Sequence, residues 1–436
     1  MALNRAFGVV QWLAADTAGA TYTVNLPAGF DLKAIRFYAV GIASAVDAAS
    51  ATSAAKTGFG FATGIAARRA VASIDLDNNT SNICGAAIRD DCVMLQANTD
   101  GTITAALDIT TFSSEQFVLT VDDQIAGDLT VGWRAWGGSD ITVAAVGDFA
   151  EPAATGVQSY AVTGFTAAGT DQVVMLAGCN VTAALNTAHD IGSGIYCGYF
   201  TGSASANNIV VVGNSQDTAA TSITDGYCQT GECLAMIPAA GGNPDARAIG
   251  NFAADAFELN WLERTTTDRK SIYLAIKGGQ WAAGAYAIDG TTLNATATVS
   301  GLAFQPAGID TLGRMTAQQT VNVSTVQKRL GFGSADSTTS RQSMGMLAVD
   351  ASAVSNINVV IDYDEALCFP SSGGALLAAY DINAINSDGF QIIVDVAGGV
   401  ASEWQGYLAF ASATSELAPQ SRIVNTSFAV TRASSY

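Results

Sequence analysis

Between Phe257 and Gly279 the apolar residues fall at every second position and then break. Phe257, Leu259 and Trp261 alternate with Glu258 and Asn260. A charged segment from Glu263 to Lys270 follows, and Ile272-Tyr-Leu-Ala-Ile276 runs into Gly278-Gly279. Period-two alternation predicts a strand with one buried face, and a polar break before a second β-rich run predicts a hairpin. The same pattern occurs twice more, as Phe117-Val-Leu119-Thr-Val121 with Trp133-Arg-Ala135 and as Phe390-Gln-Ile392-Ile-Val394 with Tyr407-Leu-Ala409. The aromatic-to-aromatic spacings are 16, 16 and 17 residues.

Other elements repeat in the same order. Tyr22 to Phe37, Tyr160 to Leu176 and Ala297 to Ile309 each read as a strand, a Gly/Pro kink and a second strand. Val24, Val162 and Val299 are equivalent and stand 138 and 137 residues apart. A small-residue segment then ends in a glycine-aromatic strand: Gly58-Phe-Gly-Phe61, Cys197-Gly-Tyr199 and Leu330-Gly-Phe332. A β-branched strand follows and runs into Asn, Asp and Ser. A shared order and spacing on this scale indicate internal duplication, and each copy is long enough to close its own core. The prediction is an all-β protein of three tandem antiparallel β-sandwich, jelly-roll-like domains at residues 1–147, 148–285 and 286–411, with a C-terminal strand or tail at 412–436. Short linkers predict domains that dock on one another.

Composition narrows the function. Charged residues make up 13% of the 436, too few to solvate many long helices, whereas Gly numbers 44, as turn-rich β structure requires. The formal charge of −19 and the absence of a basic stripe argue against a nucleic-acid partner. No apolar run approaches a membrane span, and Gln11 interrupts the short run Ala6–Ala15 that follows Arg5, so neither a membrane partner nor a signal peptide is expected. Seven cysteines, an odd number without metal-site spacing, read as reduced, partly buried thiols.

The chain offers little catalytic chemistry. His189 is its single histidine, in a loop, and no G-x-S-x-G elbow or phosphate loop accompanies it. The carboxylate pairs Asp90-Asp91, Asp122-Asp123 and Asp362-Tyr-Asp364-Glu365 could serve glycoside hydrolysis, but in turns such residues usually cap backbone N–H groups. Asp75-Leu-Asp77-Asn78-Asn79 begins like a calcium loop, yet Thr80 and Ala86 stand where its glycine and bidentate glutamate belong. No catalytic residue, cofactor site or metal site is therefore assigned.

Val299-Ser-Gly-Leu-Ala-Phe304-Gln-Pro306, Asp388-Gly389-Phe390-Gln-Ile392 and Tyr407-Leu-Ala409 resemble repeats of structural proteins encoded by tailed bacteriophages and prophages. The likeness extends over all three copies. Copy one has Glu115-Gln116 in place of Asp-Gly, and copy two lacks the proline after Phe165. Each repeat is also distantly similar to H-type lectins, sandwiches that assemble as trimers, which implies that three fused copies imitate a trimer in one chain. The resemblance implies a non-enzymatic virion protein, assembled in the host cytoplasm. It would be an exterior capsid decoration or cement protein, or a minor capsid protein, with other virion proteins as partners. The alternative is a tail-associated protein that binds a receptor or host-surface glycan.

Overall fold

The computed structural model describes residues 3–41, 48–51, 54–77, 83–98, 102–182, 184–189, 192–202, 204–216, 222–265, 268–319, 324–412 and 422–423. The described chain is all β apart from a short 3₁₀ turn, Ser205–Asn207, and contains no helix long and apolar enough to cross a membrane.

Eleven strands are laid down three times in one order. The first domain has β1 (Asn4–Trp12), β2 (Thr21–Asn25), β3 (Leu32–Val40), β4 (Ala48–Ala51), β5 (Ala54–Ala62), β6 (Arg68–Leu76), β7 (Cys84–Arg89), β8 (Met94–Ala97), β9 (Ile103–Ser113), β10 (Gln116–Asp123) and β11 (Leu129–Gly137). The second has β12 (Val143–Ala150), β13 (Gly156–Ala161), β14 (Gln172–Cys179), β15 (Thr187–His189), β16 (Ile195–Phe200), β17 (Asn208–Ser215), β18 (Thr224–Thr230), β19 (Leu234–Met236), β20 (Ala246–Ala253), β21 (Ala256–Glu263) and β22 (Lys270–Lys277). The third has β23 (Gln280–Ile288), β24 (Thr296–Val299), β25 (Gly308–Gly313), β26 (Thr325–Val326), β27 (Lys328–Ala335), β28 (Arg341–Ala348), β29 (Ile357–Asp362), β30 (Leu367–Pro370), β31 (Leu376–Asn386), β32 (Gly389–Val396) and β33 (Glu403–Ala411).

Each domain is a sandwich. In the first, the large sheet runs β7-β6-β5-β3-β11-β1 and the small sheet β2-β10-β9-β8; the other two repeat this order. Pairing is antiparallel except where β34 (Arg422–Ile423), the described part of the tail, lies parallel to Phe7 and Gly8. β12 and β23 straddle the expected boundaries near 147 and 285. They pair wholly within the second and third sandwiches, so the chain changes domain at Gly138–Thr142 and at Gly278-Gly279.

The repeated aromatic pattern is real, but its two halves do not form a hairpin. β10 pairs with β2 and β9 in the small sheet, whereas β11 pairs with β1 and β3 in the large sheet. β21 and β22, and β32 and β33, are divided in the same way. Connections of several residues can span the ~10 Å between stacked sheets, so spacing alone cannot distinguish a hairpin from a crossing. The aromatic residues therefore meet edge to face across the core. Phe117 and Trp133 stand 5.2 Å apart, Phe257 and Tyr273 5.0 Å, and Phe390 and Tyr407 5.2 Å. β10, β21 and β32 form hairpins instead with the strands before them, β9, β20 and β31.

Opposite each large-sheet aromatic residue the edge strand carries glycine: Gly8 faces Trp133, Gly147 faces Tyr273 and Gly284 faces Tyr407. The tyrosine rings lie over these glycines; a Cβ on Gly147 or Gly284 would stand 2.5 Å from the tyrosine Oη. An aromatic ring folded over a cross-strand glycine supplies the packing that glycine lacks. The glycine-aromatic strands have a stricter need. A Cβ on Gly60, Gly198 or Gly333 would lie 1.7, 2.0 or 1.9 Å from the carbonyl oxygen of Val93, Cys233 or Ala366. Backbone crosses the sheet face there in every copy, and a side chain cannot be accommodated.

Three apolar clusters fill the sandwiches, with a satellite in the first. A further cluster draws on all three large sheets: Tyr38, Phe59 and Trp136 from the first domain, Met175, Ile209 and Leu274 from the second, Leu312, Phe332 and Phe410 from the third. The large sheets are thus buried on both faces and pack against one another.

Candidate functional site at the domain junctions

The segments between the kinked strand pair and the glycine-aromatic strand leave their own sandwiches. β4 of the first domain adds to β29 of the third, β26 of the third adds to β18 of the second, and β15 of the second adds to β7 of the first. Equivalent elements thus close a cycle, each covering an open sheet edge with backbone hydrogen bonds. The three copies imitate a cyclic trimer within one chain. His189 ends β15, where its backbone pairs with Ala86; its side chain lies outside the described residues.

Both aspartates of the segment that suggested a calcium loop serve this junction. Asp75, fully buried, accepts from Lys328 Nζ at 2.8 Å and Ser193 Oγ at 2.6 Å; Lys328 Nζ also donates to Ser193 O at 2.7 Å. One ion pair thereby joins all three domains. Asp77 Oδ1 accepts from the backbone of Ile357 at 2.7 Å. Asn78 and Asn79 lie outside the described residues.

A longer ionic chain is buried between the first and third domains. Arg36 Nη2 stands 3.1 Å from Asp310, which also accepts from Arg134 Nε at 3.0 Å; Arg134 Nη1 contacts Asp336, and Arg5 Nε lies 3.6 Å from Asp336. All five are at most 3% exposed. Arg134 is sandwiched between the rings of Phe7 and Phe410, at 4.7 and 5.0 Å, and Arg36 donates to Tyr199 Oη at 2.6 Å. Burial lowers the pKa of Arg36 and Arg134, but the neighbouring aspartates more than offset it and raise both above the ordinary arginine value. Strand register makes Arg36, Met175 and Asp310 equivalent, and likewise Arg134, Leu274 and Leu408. The copies have diverged at one layer: arginine in one, aspartate in another, apolar residues in the third.

The other carboxylates have varied partners. Arg89 contacts Asp91 at 2.6 Å and Asp122 and Asp123 at 3.5 Å, and its hydrogen bond holds the Asp91 carboxyl below its ordinary pKa. Asp362 caps the N–H of Asp364 at 2.8 Å, as expected for a turn. Glu365 differs. It is 6% exposed and lies in hydrogen-bond contact with Asp395. Burial first, then Asp395, Asp362 and Asp381, push its carboxyl up to about 10. Asp381, on β31, is pushed up to about 7 by burial, offset by Arg341. Sequence spacing identified Asp362, Asp364 and Glu365 but not Asp381 or Asp395, which strand pairing brings from elsewhere. Among the described residues, no group of three potential ligands stands together to hold a metal.

All seven cysteines are buried, and burial raises the Cys197 thiol to about 11 and the Cys228 thiol to about 12. Between the second and third domains lies a cleft of about 570 Å³ lined by Tyr286, Trp404, Tyr407, Gln318 and Thr230. Tyr286 and Tyr407 stack at 6.5 Å, and the indole N–H of Trp404 has no acceptor.

No protein-family model matches the chain, and no curated protein matches it. Among solved structures, it aligns with the LG1-3 region of the laminin α2 chain at 8% identity and TM-score 0.09, covering 92% of this chain and 94% of that one. It aligns with fructofuranosidase from Schwanniomyces occidentalis complexed with fructose at 6% identity and TM-score 0.13, covering 91% and 98%. The di-domain ARO/CYC StfQ from the steffimycin biosynthetic pathway gives 9% identity and TM-score 0.09, covering 62% and 84%. At these scores none bears on fold or function.

Proposed function

We propose that the protein is a non-enzymatic structural component of a bacteriophage particle, an exterior capsid decoration or cement protein or a minor capsid protein. The cyclic strand exchange carries this reading. It builds one chain into a block with three similar faces about an axis, a shape suited to a site of local threefold symmetry in a shell. The junction ions and edge strands serve cohesion between domains, and the charge of −19 suits an outer surface away from packaged nucleic acid. Its partners are other virion proteins. Purified protein added to undecorated shells of the phage that encodes it should bind saturably at local threefold positions, visible by electron microscopy. Shells that stay bare at saturating protein would sink the proposal.

The aromatic cleft favours a second reading, a tail-associated protein that binds a receptor or glycan. Stacked tyrosines with nearby amide and hydroxyl groups match the apolar faces and hydroxyls of a sugar. Glycan-array binding lost in Trp404→Ala, with shell binding absent, would favour it over the first.

A further inference from the structure

The equivalent edge strands β1, β12 and β23 are finished in three different ways. Register makes Val9, Asp148 and Ala285 equivalent, each following the glycine that faces a large-sheet aromatic residue. β1 is covered by the tail strand β34, which pairs with Phe7 and Gly8. β12 carries a charge at its edge, where Asp148 stands 2.7 Å from Arg69 of the first domain. β23 has no charge, no proline and no bulge, the devices that keep an edge from pairing. In an antiparallel ladder every second residue turns its N–H and C=O away from its partner strand. On β23, Trp281 N donates to Thr170 O and Ala283 N to Thr201 Oγ1, both at 3.0 Å, so the odd-numbered residues face outward. Ala285 and Ala287 continue that series. Ala285 is half-buried and Ala287 exposed, and among the described residues nothing accepts from either N–H. Both line the cleft of about 570 Å³, with Ala206, Thr230 and Gln318 around them.

We propose that residues 424–436 of a second copy of this chain add to β23 as a strand, pairing with the open backbone of Ala285 and Ala287. The equivalent edge of the first domain already pairs with the same tail, two residues earlier in sequence. Val424-Asn-Thr-Ser-Phe428-Ala-Val430-Thr431 contains no glycine or proline and alternates Phe428 and Val430 on one face, the pattern of a strand. Residues 424–436 include Arg432 and no acidic residue, whereas the chain as a whole carries −19 and Asp289 stands exposed just beyond β23. The strand comes from a neighbour because β34 holds a chain's own tail at another junction. There Gln342 of the third domain donates to Gly8 O at 2.9 Å, whereas β23 opens between the second and third domains. A tail passed from copy to copy makes a head-to-tail contact that need not close. The contact does not depend on the shell-binding role.

The test is sedimentation velocity of the full chain from about 1 μM to about 1 mM, with a synthetic peptide of residues 424–436 as competitor. The chain should associate reversibly as concentration rises, and excess peptide should return it to monomer. Ala287→Pro removes an outward N–H without breaking the ladder to β33, and should weaken association at least about tenfold. Phe428→Asp, which changes the tail and leaves the cleft intact, should weaken it similarly. Fluorescence anisotropy should show the labelled peptide binding the Phe428→Asp chain but not the Ala287→Pro chain. A chain that stays monomeric up to about 1 mM, or association that neither variant nor peptide disturbs, would overturn the assignment. Peptide binding by a chain that remains monomeric would make the occupant the chain's own tail. Glycan binding in this cleft by the associated form would show that no strand fills it.

Discussion

The two sheets of each sandwich obey different rules. In the small sheet, β10 and β32 alternate buried and partly exposed positions, as the sequence pattern leads one to expect. In the large sheet, β11, β14 and β33 are buried at every position. The small sheet has one partner, its own large sheet. The large sheet has two, its own small sheet and the neighbouring domains, so it loses its polar face. Some of the polar residues it keeps are satisfied by other domains. Arg134 and Asp310 do this, and so does Lys328 with Asp75. The inner sheets are thus where duplication had to be followed by divergence. Three identical copies would place three like charges in the layer of Arg36 and Asp310, where unlike copies place a pair.

The largest test of this contrast is steric. Gly60→Ala forces a Cβ to within 1.7 Å of a backbone carbonyl on the inner sheet and should cost about 4 kcal/mol or more in denaturant unfolding, or prevent folding. A loss below ~1 kcal/mol would mean the crossing chain is free to move aside. Next comes charge. Asp310→Asn leaves Arg36 and Arg134 short of a counter-ion and should cost about 3–5 kcal/mol. Giving all three positions the apolar character of the second copy, as Arg36→Met, Arg134→Leu and Asp310→Met together, should recover most of that loss. If the triple variant is no better than the single one, the ionic chain contributes more than mutual neutralisation.

A smaller effect should appear with pH. Glu403 is fully buried at the start of β33, and burial, eased by hydrogen bonds from Tyr380 and Gln405, pushes its carboxyl up to about 7. The folded chain therefore holds this proton more tightly than the unfolded chain, whose carboxyl titrates near 4.3. Its contribution to stability is complete below that value and is lost as pH rises through about 7. Glu403→Gln should flatten this decline and be more stable than the parent by roughly 1–3 kcal/mol at pH 8. Parallel stability curves for the two proteins between pH 5 and 8 would refute this. The smallest effect belongs to the outer sheet. Thr110→Ala, which removes an exposed 2.6 Å contact with Thr120, should change stability by no more than about 0.5 kcal/mol.

The order of elements and the triplication were legible because turn residues and period-two alternation are local properties. So was the aromatic rhythm of Phe257, Trp261 and Tyr273. Which strands pair was not, since β10 and β11 could join as a hairpin or cross between sheets with the same spacing. The candidate site was less legible still. The Arg36–Asp310 contact joins residues hundreds of positions apart, and Asp75 resembled a metal ligand until Lys328 came to face it.

The stretch Phe257–Gly279 shows where the division falls. Its alternation by itself determined that one face would be buried, that a polar break would follow and that a second strand would carry Tyr273. Tertiary structure alone decided that these strands lie in different sheets, that Phe257 meets Tyr273 edge to face through the core, and that the second strand is covered by other domains as well. Alternation records how many faces of a strand are wet. It does not record what covers the dry ones, because burial against one's own sheet and against a neighbour require the same apolar residues.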